Sequence, residues 1–401
     1  MGLTIAGDGL AITAGTESSN YNAGIVKTTG AGCLTITEQF SNAGTLNAGG
    51  AGAPVLNGAQ INGGGGLTEA TAAGTLILQN NASISHQAPV IISANGKLTT
   101  TAGDTLDAIL NNVTDNGAIN IVGGSTLEVD GHWINKGSIN LGGASAAELD
   151  VQGGWYLLGG GTLHLNNSGD SIASAAAGAY FDNINDLIIG SGVIGDSNMS
   201  INNDTSGVID ATGSAGLTVN GSNLYNVGTM QSDSAAGLTI AADIDDEGQL
   251  IANNGSAIVA KGNVWGAGKA TINGSGSIEF AKEDDNDIVF GSGGSGSLII
   301  DDSAKFYGNI NGFAAGDSID MRDFAYVAGS TQFDPVQSAF GPVDGGGPLT
   351  NGTTDSAPIY FQGDYSASTL ASEHLAFQFS SDGHQIGSTG TFGTKITLVS
   401  T

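Results

Sequence analysis

The sequence predicts an all-β fold, a β-solenoid (parallel β-helix) built from coils of about 20 residues. Two observations favour this fold: a regular spacing of short apolar runs and a composition that is poor for helices. The apolar runs lie at residues 217–219, 238–240, 258–260, 278–280, 298–300 and 319–321. Their step is too short for helix-pair repeats of roughly 33 to 47 residues. It fits a solenoid, in which each coil stacks on its neighbours.

The composition supports strands over helices and over disorder. Glycine accounts for 67 of the 401 residues, and charged residues make up only 12%, against the usual ~25%. Glycine and asparagine interrupt nearly every window in which a helix could form. Disordered chains have low hydrophobicity throughout, whereas 40% of this chain is hydrophobic and its Leu/Ile/Val triplets are regularly spaced.

A single repeat shows how a coil is expected to form. Leu238 and Ile240 alternate with Thr239, which predicts a strand with two inward side chains and one outward. Residues 243–248 are polar and predict a corner, and residues 249–251 predict a second strand. Asn and Gly at 253–255 tolerate the positive φ angles of a tight turn. At this step the chain is expected to contain about twenty coils.

Three regions differ in regularity. Residues 1–216 predict irregular solenoid coils, residues 217–320 regular coils, and residues 321–401 a β-rich C-terminal cap. In the first region, residues 116–120 recur at 135–140, and residues 127–131 recur at 149–153. The cap is expected to contain strands at 359–361, 375–379 and 395–399, and it would cover strand edges that an open solenoid end exposes.

The region from about residue 285 onwards carries a family resemblance. Its runs IVF at 288–290, GSGSLIIDD at 294–302, FYGNI at 306–310 and GFAAGDSIDM at 312–321 resemble a recurrent C-terminal block of very large, repetitive secreted proteins of proteobacteria. The preceding coils are similar to the Asn-Gly-rich repeats of autotransporter passengers and filamentous adhesins. The resemblance implies an exported surface or matrix protein, and it implies no catalytic residues.

Charge limits the classes of partner. The formal net charge is −29 and the isoelectric point is near 4.1, which argues against nucleic acid, because binding it needs cations that neutralise phosphates. No stretch reaches the ~18 apolar residues of a membrane helix, so no membrane insertion is expected. Cys33 is the single cysteine, which excludes an internal disulfide framework and favours a small buried side chain.

Acidic clusters suggest a calcium site. Carboxylate and amide oxygens are ligands that Ca²⁺ prefers, and Gly-rich residues 293–298 approach a calcium nonapeptide, with Leu298 where that motif has Asp. The candidate ligands come from what the step near 20 predicts to be equivalent corners of adjacent coils: Asp284, Asp285, Asp287, Asp301 and Asp302. Residues 243–247 and 283–287 also supply the paired carboxylates that a glycosidase needs. We favour solvated corners for both clusters and predict no catalytic residues.

Two aromatic pairs lie one coil apart, at His132-Trp133 and Trp155-Tyr156. They fit either packing at a coil corner or a ladder that stacks on sugar rings. The sequence thus predicts a secreted or cell-surface protein that is structural or adhesive, self-assembles into oligomers or filaments, and is not an enzyme. The alternative is a polysaccharide-binding or polysaccharide-degrading β-helix protein. A cleft of convergent acids beside solvent-facing tryptophans would favour that alternative.

Overall fold

A computed structural model of the chain confirms the predicted fold class. It describes residues 3–5, 10–12, 20–29, 31, 33–63, 65–71, 73–84, 89–102, 105–333, 348–353, 355–388 and 390–401. The protein is nearly all β, with 54% strand and 2% helix, and forms a parallel β-solenoid of about 14 turns. The expected number of about twenty coils was too high. Some coils are longer than 20 residues, as where Leu163 pairs with Ile188, and the last residues leave the solenoid.

The chain divides into two compact units. Unit 1 comprises Met1–Ile209 with Asn220–Ser222, and unit 2 comprises Asp210–Val219 with Asn223–Thr401. The described strands of unit 1 are β1 Leu3–Ile5, β2 Leu10–Ile12, β3 Asn20–Asn22, β4 Ile25–Thr28, β5 Leu34–Ile36, β6 Phe40–Asn42, β7 Thr45–Ala48, β8 Val55–Asn57, β9 Gln60–Gly63, β10 Leu67–Ala70, β11 Thr75–Gln79, β12 Ser83–Ile84, β13 Val90–Ile92, β14 Lys97–Thr100, β15 Thr105–Asn111, β16 Val113–Asp115, β17 Ala118–Ile121, β18 Thr126–Asn135, β19 Ser138–Leu141, β20 Glu148–Leu158, β21 Thr162–Leu165, β22 Ser171–Ser174, β23 Ala179–Asn183, β24 Leu187–Gly190, β25 Gly192–Ile194 and β26 Met199–Asn203.

The division falls within β27, Val208–Ala211. The described strands of unit 2 are β28 Leu217–Val219, β29 Asn223–Asn226, β30 Thr229–Ser232, β31 Leu238–Ile240, β32 Ile244–Asp246, β33 Gln249–Ala252, β34 Ala257–Ala260, β35 Val264–Trp265, β36 Lys269–Ile272, β37 Ser277–Phe280, β38 Asp287–Phe290, β39 Ser297–Ile300, β40 Asn309–Asn311, β41 Ser318–Met321, β42 Gln332–Phe333, β43 Leu349–Thr350, β44 Ser356–Ala357, β45 Tyr360–Gln362, β46 Leu375–Ile386 and β47 Thr391–Ser400. A 3₁₀ turn at Ser303–Lys305 and helix α1 at Ala367–Ser372 complete the described elements of this unit.

The triplets predicted from the repeat stack in the expected register. Leu217 pairs with Leu238, Leu238 with Ile258, and the same inward column continues to Leu298. Each of these side chains is buried, because the inward face of one coil finds its apolar partners only in the coils on either side. The repeat therefore sets both the strand positions and the core of this part of unit 2.

Each regular coil contains one strand more than the sequence suggested. The segment interpreted as a polar corner, residues 243–248, contains β32, in which Ile244 and Asp246 are buried and Asp245 is exposed. Hydrogen bonds to its carboxylate offset part of the cost of burying Asp246, although burial still raises its pKa. Its Oδ1 accepts from Nδ2 of Asn226 at 2.6 Å, and its Oδ2 accepts from Nδ2 of Asn286 at 2.6 Å.

In other coils of both units, the position equivalent to Asp246 is an asparagine that ends its strand, and a glycine follows two residues later in the corner. In unit 1, Nδ2 of Asn22 donates to Oδ1 of Asn42 at 2.8 Å across adjacent coils. In unit 2, a Cβ atom at Gly248 would clash with the carbonyl oxygen of Gly228. The backbones of stacked corners approach too closely for a side chain there, so glycine is required by space alone.

A β-rich cap follows the last coil, as predicted. β45 extends one sheet in parallel with β40. β46 and β47 form an antiparallel hairpin, and β47 pairs antiparallel with β41, the last strand of the other sheet. The hairpin thus covers the edge of β41. Residues 334–347 lie outside the described residues.

Candidate functional site

The structure separates the residues proposed as calcium ligands. Asp284 is fully buried, whereas Asp285 next to it faces the outside, because successive side chains of an extended chain point to opposite faces. Asp287 begins β38 in a different sheet, where its Oδ1 accepts hydrogen bonds from N and Nδ2 of Asn309 at 3.1 and 2.8 Å.

The other two proposed ligands are engaged with basic side chains. Oδ1 of Asp301 lies 3.4 Å from Nη1 of Arg322, and Oδ2 of Asp302 lies 3.1 Å from Nζ of Lys305. Among the residues that the structure describes, no three His, Cys, Asp or Glu side chains are grouped so that they could hold a metal ion. The five aspartates therefore do not form one site in this conformation.

A second candidate site, made of aromatic and acidic side chains, lies in unit 1 on the strands that carry the two aromatic pairs. β18 and β20 are unusually long because each continues past the corner at which most coils break. Their register shifts between Val129 and Gly131, where β20 contains extra residues around Gly153. A bulge of this kind bends a strand and re-aims its side chains, and bulges are common beside functional sites.

The aromatic residues sort into an inner and an outer stack. Trp133 and Trp155 are buried, which places the predicted tryptophan pair in the core. Their neighbours face outwards: the rings of His132 and Tyr156 are 4.6 Å apart and nearly parallel, at 15°. Tyr180 of the next coil lies 5.6 Å from Tyr156. We call His132, Tyr156 and Tyr180 the aromatic face.

The acidic residues on the outer side of the same strands precede the aromatic face. Glu128 pairs with Asp150 across adjacent coils, as the recurrence of residues 127–131 at 149–153 predicted. Oε2 of Glu128 accepts a hydrogen bond from Nε2 of Gln152 at 2.6 Å, and Oε1 of Glu148 accepts one from Oγ of Ser171 at 3.2 Å. We call Glu128, Glu148 and Asp150 the acid group.

Asp150 has the most perturbed carboxyl of the acid group. Burial raises its pKa to about 6, and repulsion from Glu148, Glu128 and Asp196 adds to the shift. A carboxyl with such a pKa exchanges its proton near neutral pH, which is the property of a general acid. Glu128 of the acid group lies about 13 Å along β18 from His132, since His132 is the fourth residue after Glu128 and each step along a strand is ~3.3 Å.

The aromatic face and the acid group together provide two kinds of contact by which proteins bind sugars. Flat aromatic rings stack on the apolar face of a pyranose, and carboxylate oxygens accept hydrogen bonds from its hydroxyl groups. Sequence reasoning identified His132 and Tyr156 but missed Tyr180, because the coil between Tyr156 and Tyr180 is longer than 20 residues. The strand register places Tyr180 opposite Gly154 and Asp182 opposite Tyr156, so Tyr180 lies diagonally across from Tyr156 on the adjacent strand.

Comparisons with known proteins add no assignment. A scan against protein-family models and a search of curated proteins both find no match to this chain. The part of the chain that the structure describes contains no helix with the length and apolar character of a membrane span. The proposals below therefore rest on the geometry and on the sequence.

Proposed function

We propose that the protein is an exported structural β-solenoid with an adhesive role, and that it binds polysaccharide at the aromatic face of unit 1. The observation that carries this proposal is the outward row of His132, Tyr156 and Tyr180, in which His132 stacks on Tyr156 and the ring of Tyr180 is tilted by 58° against Tyr156. The core already has its aromatic residues in Trp133 and Trp155, so packing does not explain rings on the outside. His132 is exposed and Tyr156 and Tyr180 are half-buried, and accessible aromatic rings on the same strands as hydrogen-bonding side chains are typical of ligand sites.

The charge of the chain narrows the class of polysaccharide that we expect it to bind. With a net charge of −29 and three carboxylates in the acid group, repulsion disfavours polysaccharides that carry carboxylate or sulfate groups. Export to the cell surface is part of the proposal because of the resemblance of residues 285–401 to secreted repeat proteins. We propose neither nucleic acid nor a membrane as a partner.

A binding screen tests the adhesive role. Neutral and charged polysaccharides are compared by affinity electrophoresis against the wild type, Tyr156→Ala and Tyr21→Ala. Tyr21 is a matched control, because its side chain is 66% exposed in the same unit but lies apart from the aromatic face. We expect Tyr156→Ala to weaken binding about tenfold, the effect of losing roughly 1.4 kcal/mol of stacking. Equal binding by both variants would contradict the proposal.

Self-association is the second part of the proposal. Acidic outer faces of separate copies repel one another, and Ca²⁺ at millimolar concentration relieves this repulsion by bridging carboxylates. Electron microscopy with about 5 mM Ca²⁺, with Mg²⁺ and with EGTA tests it. We expect filaments or sheets with Ca²⁺ that disperse in EGTA. Single particles under all three conditions would contradict self-association but leave the adhesive role intact.

The perturbed Asp150 favours a second candidate function, polysaccharide hydrolysis. In this reaction Asp150 protonates the glycosidic oxygen of the leaving sugar while Glu128, opposite it on the adjacent strand, attacks the anomeric carbon as the nucleophile, and a water that gives its proton to Asp150 then releases the sugar from Glu128. The test is release of reducing ends from any polysaccharide that binds. Activity that falls above pH 6 and is abolished in Asp150→Asn would support hydrolysis. Binding without turnover would support the purely adhesive role.

A further inference from the structure

A second outward row of aromatic residues runs along unit 2. Tyr225 pairs with Asp245, and Asp245 pairs with Trp265. Parallel bridges from Val264 to Asp284 and from Asp284 to Phe306 continue the row, which sets Asp285 beside Trp265 and Tyr307 beside Asp285. We call these five outward residues of successive coils the corner column: Tyr225, Asp245, Trp265, Asp285 and Tyr307.

The column alternates an aromatic ring with a carboxylate over five coils. Its rings are accessible: Tyr225 is 36% exposed, Trp265 41% and Tyr307 54%. The residues that fill the core at this corner are their inward neighbours, such as Leu224 and Val264. The rings therefore lie outside the core, and a regular row of accessible aromatic side chains points to a ligand.

Hydrogen-bonding side chains flank the rings. The outward positions two residues earlier in each coil are Asn223, Asp243, Asn263, Glu283 and Lys305. Asp243 and Asn263 are already ordered by each other, since Oδ1 of Asp243 accepts from N and Nδ2 of Asn263 at 2.7 and 3.1 Å. We call the corner column together with these flanking residues the strip. The strip combines stacking rings with polar groups held in fixed positions, which is the combination that binds sugars.

The spacing of the rings indicates a polymer. Adjacent strands lie ~4.8 Å apart, so rings on every second coil lie about 9.6 Å apart. This distance is close to the length of one disaccharide in an extended β-1,4-linked polysaccharide. A chain that runs along the coil stack would therefore place every second sugar on a ring, and the sugar between on an aspartate.

The aspartates indicate the charge of that polymer. Asp245 and Asp285 lie between the rings, where they meet the groups that the intervening sugars present. Two of the lysines near the column already pair with acids outside it: Nζ of Lys282 lies 3.9 Å from Asp243, and Nζ of Lys305 lies 3.1 Å from Asp302. A ligand that carries ammonium groups complements this strip, whereas one that carries carboxylates is repelled.

We propose that the corner column binds an extended β-1,4-linked polymer of 2-amino sugars, with sugar rings on Tyr225, Trp265 and Tyr307 and ammonium groups on Asp245 and Asp285. This site is separate from the aromatic face of unit 1 and shares no residue with it. The five residues of the column take five consecutive sugars, one on each ring and one on each aspartate between them, so a hexamer is long enough to cover the column.

Calorimetric titration of the full chain with β-1,4-linked glucosamine oligomers tests the proposal. We expect the affinity to rise about tenfold or more from the dimer to the hexamer, because each further disaccharide adds one stacking contact. Further sugars add little. The β-1,4-linked glucose hexamer should bind more weakly, and polygalacturonate should not bind. Equal affinity for dimer and hexamer, or tighter binding of the neutral hexamer, would overturn the proposal.

Variants locate the site. Trp265→Ala should weaken hexamer binding about tenfold, whereas Phe392→Ala, which removes another exposed ring of unit 2, should not change it. Asp245→Asn with Asp285→Asn should remove the preference for amino sugars over glucose. All variants are first shown to unfold at the wild-type temperature. Unchanged binding by Trp265→Ala would overturn the proposal.

A last variant separates this site from the one in unit 1. Tyr156→Ala should retain the tight, length-dependent binding of the glucosamine hexamer. If Tyr156→Ala abolishes that binding and Trp265→Ala does not, the corner column is excluded while the aromatic face of unit 1 stands. The opposite pattern supports the corner column and contradicts the aromatic face as the binding site for this polymer.

Discussion

The inner and outer sides of one corner in unit 2 differ in burial and in the types of residue that they contain. The outer side is the corner column, and the inner side is formed by the residues that precede it in the sequence: Leu224, Ile244, Val264, Asp284 and Phe306. Inner residues are buried and mostly apolar, whereas outer residues are exposed, or half-buried in the case of Asp285, and alternate between rings and acids. The inner sequence is explained by packing, and the outer sequence is not.

Asp284 is the exception on the inner side. It is fully buried in a column of apolar side chains, and its Oδ2 has no hydrogen-bond partner among the described residues. Oδ1 of Asn286, two residues later, is also without a partner there. Burial raises the pKa of Asp284 well above its usual range, and the negative charges of Asp285, Asp246 and Asp287 add to the shift. A neutral, protonated carboxyl is the form that this position tolerates.

The largest expected effect comes from a new acid at another inner position. Ile244→Asp places a carboxylate between Leu224 and Val264, and we expect it to cost at least about 4 kcal/mol of unfolding free energy or to prevent folding. Circular dichroism during urea titration measures this cost. Asp245→Ala on the outer side is the control and should change stability by no more than about 0.5 kcal/mol. Similar losses in both variants would contradict the assignment of sides.

A smaller effect is expected at the corner glycines. Gly248→Ala pushes a methyl group against the carbonyl oxygen of Gly228, and such overpacking costs about 1 to 3 kcal/mol. Gly255→Ala is a matched control in the same coil: its Cβ would meet no atom closer than 4.0 Å, but its φ of +77° disfavours any side chain. We expect it to cost no more than about 1 kcal/mol. Denaturant midpoints that rank the two variants in the opposite order would exclude close backbone stacking.

The sequence predicted the inner columns better than the corners. Leu238 and Ile258 could be placed because an apolar triplet recurs at a fixed step and must stack on itself. β32 was missed because its run, Ile-Asp-Asp, has one apolar residue, and because the two side chains that donate to its buried Asp246, Asn226 and Asn286, lie on other coils. Such long-range partners leave no local signal.

The two outer sites were harder to predict from the sequence than the corners. In the corner column, Tyr225 and Trp265 are 40 residues apart in the printed sequence, so a search at one coil step finds an aspartate between them. In unit 1, His132 and Tyr156 were identified as members of two pairs, but which ring of each pair faces outwards depends on the strand register. Side chains alternate along a strand, so the outward residues can be named only when the face of one residue in that strand is already known.

The third prediction concerns the pH dependence of stability. The pKa of Asp284 is raised in the folded protein, so the folded state binds a proton that the unfolded state releases above about pH 4. Stability from this group is therefore present at low pH and is lost as the pH rises from about 4 to the raised pKa. Asp284→Asn is neutral at all pH values, and we expect it to reduce that loss.

Thermal unfolding of wild type and Asp284→Asn between pH 4 and 8 measures this effect. The difference between the two proteins isolates Asp284 from the other acidic groups. The variant should gain stability relative to the wild type as the pH rises. A constant difference across the range would show that Asp284 titrates alike in the folded and unfolded states.

The most direct test of the account compares two adjacent residues, Val264 and Trp265, which the fold places on opposite sides of one strand. The measurement is the unfolding free energy of Val264→Ala and of Trp265→Ala by urea titration. We expect Val264→Ala to lose roughly 1.5 to 3 kcal/mol, because its side chain is fully buried, and Trp265→Ala to lose less than Val264→Ala, because its ring is 41% exposed and its removal leaves no cavity in the core. A loss in Trp265→Ala equal to that in Val264→Ala would show that the outer rings serve folding, and would contradict their assignment to ligand binding.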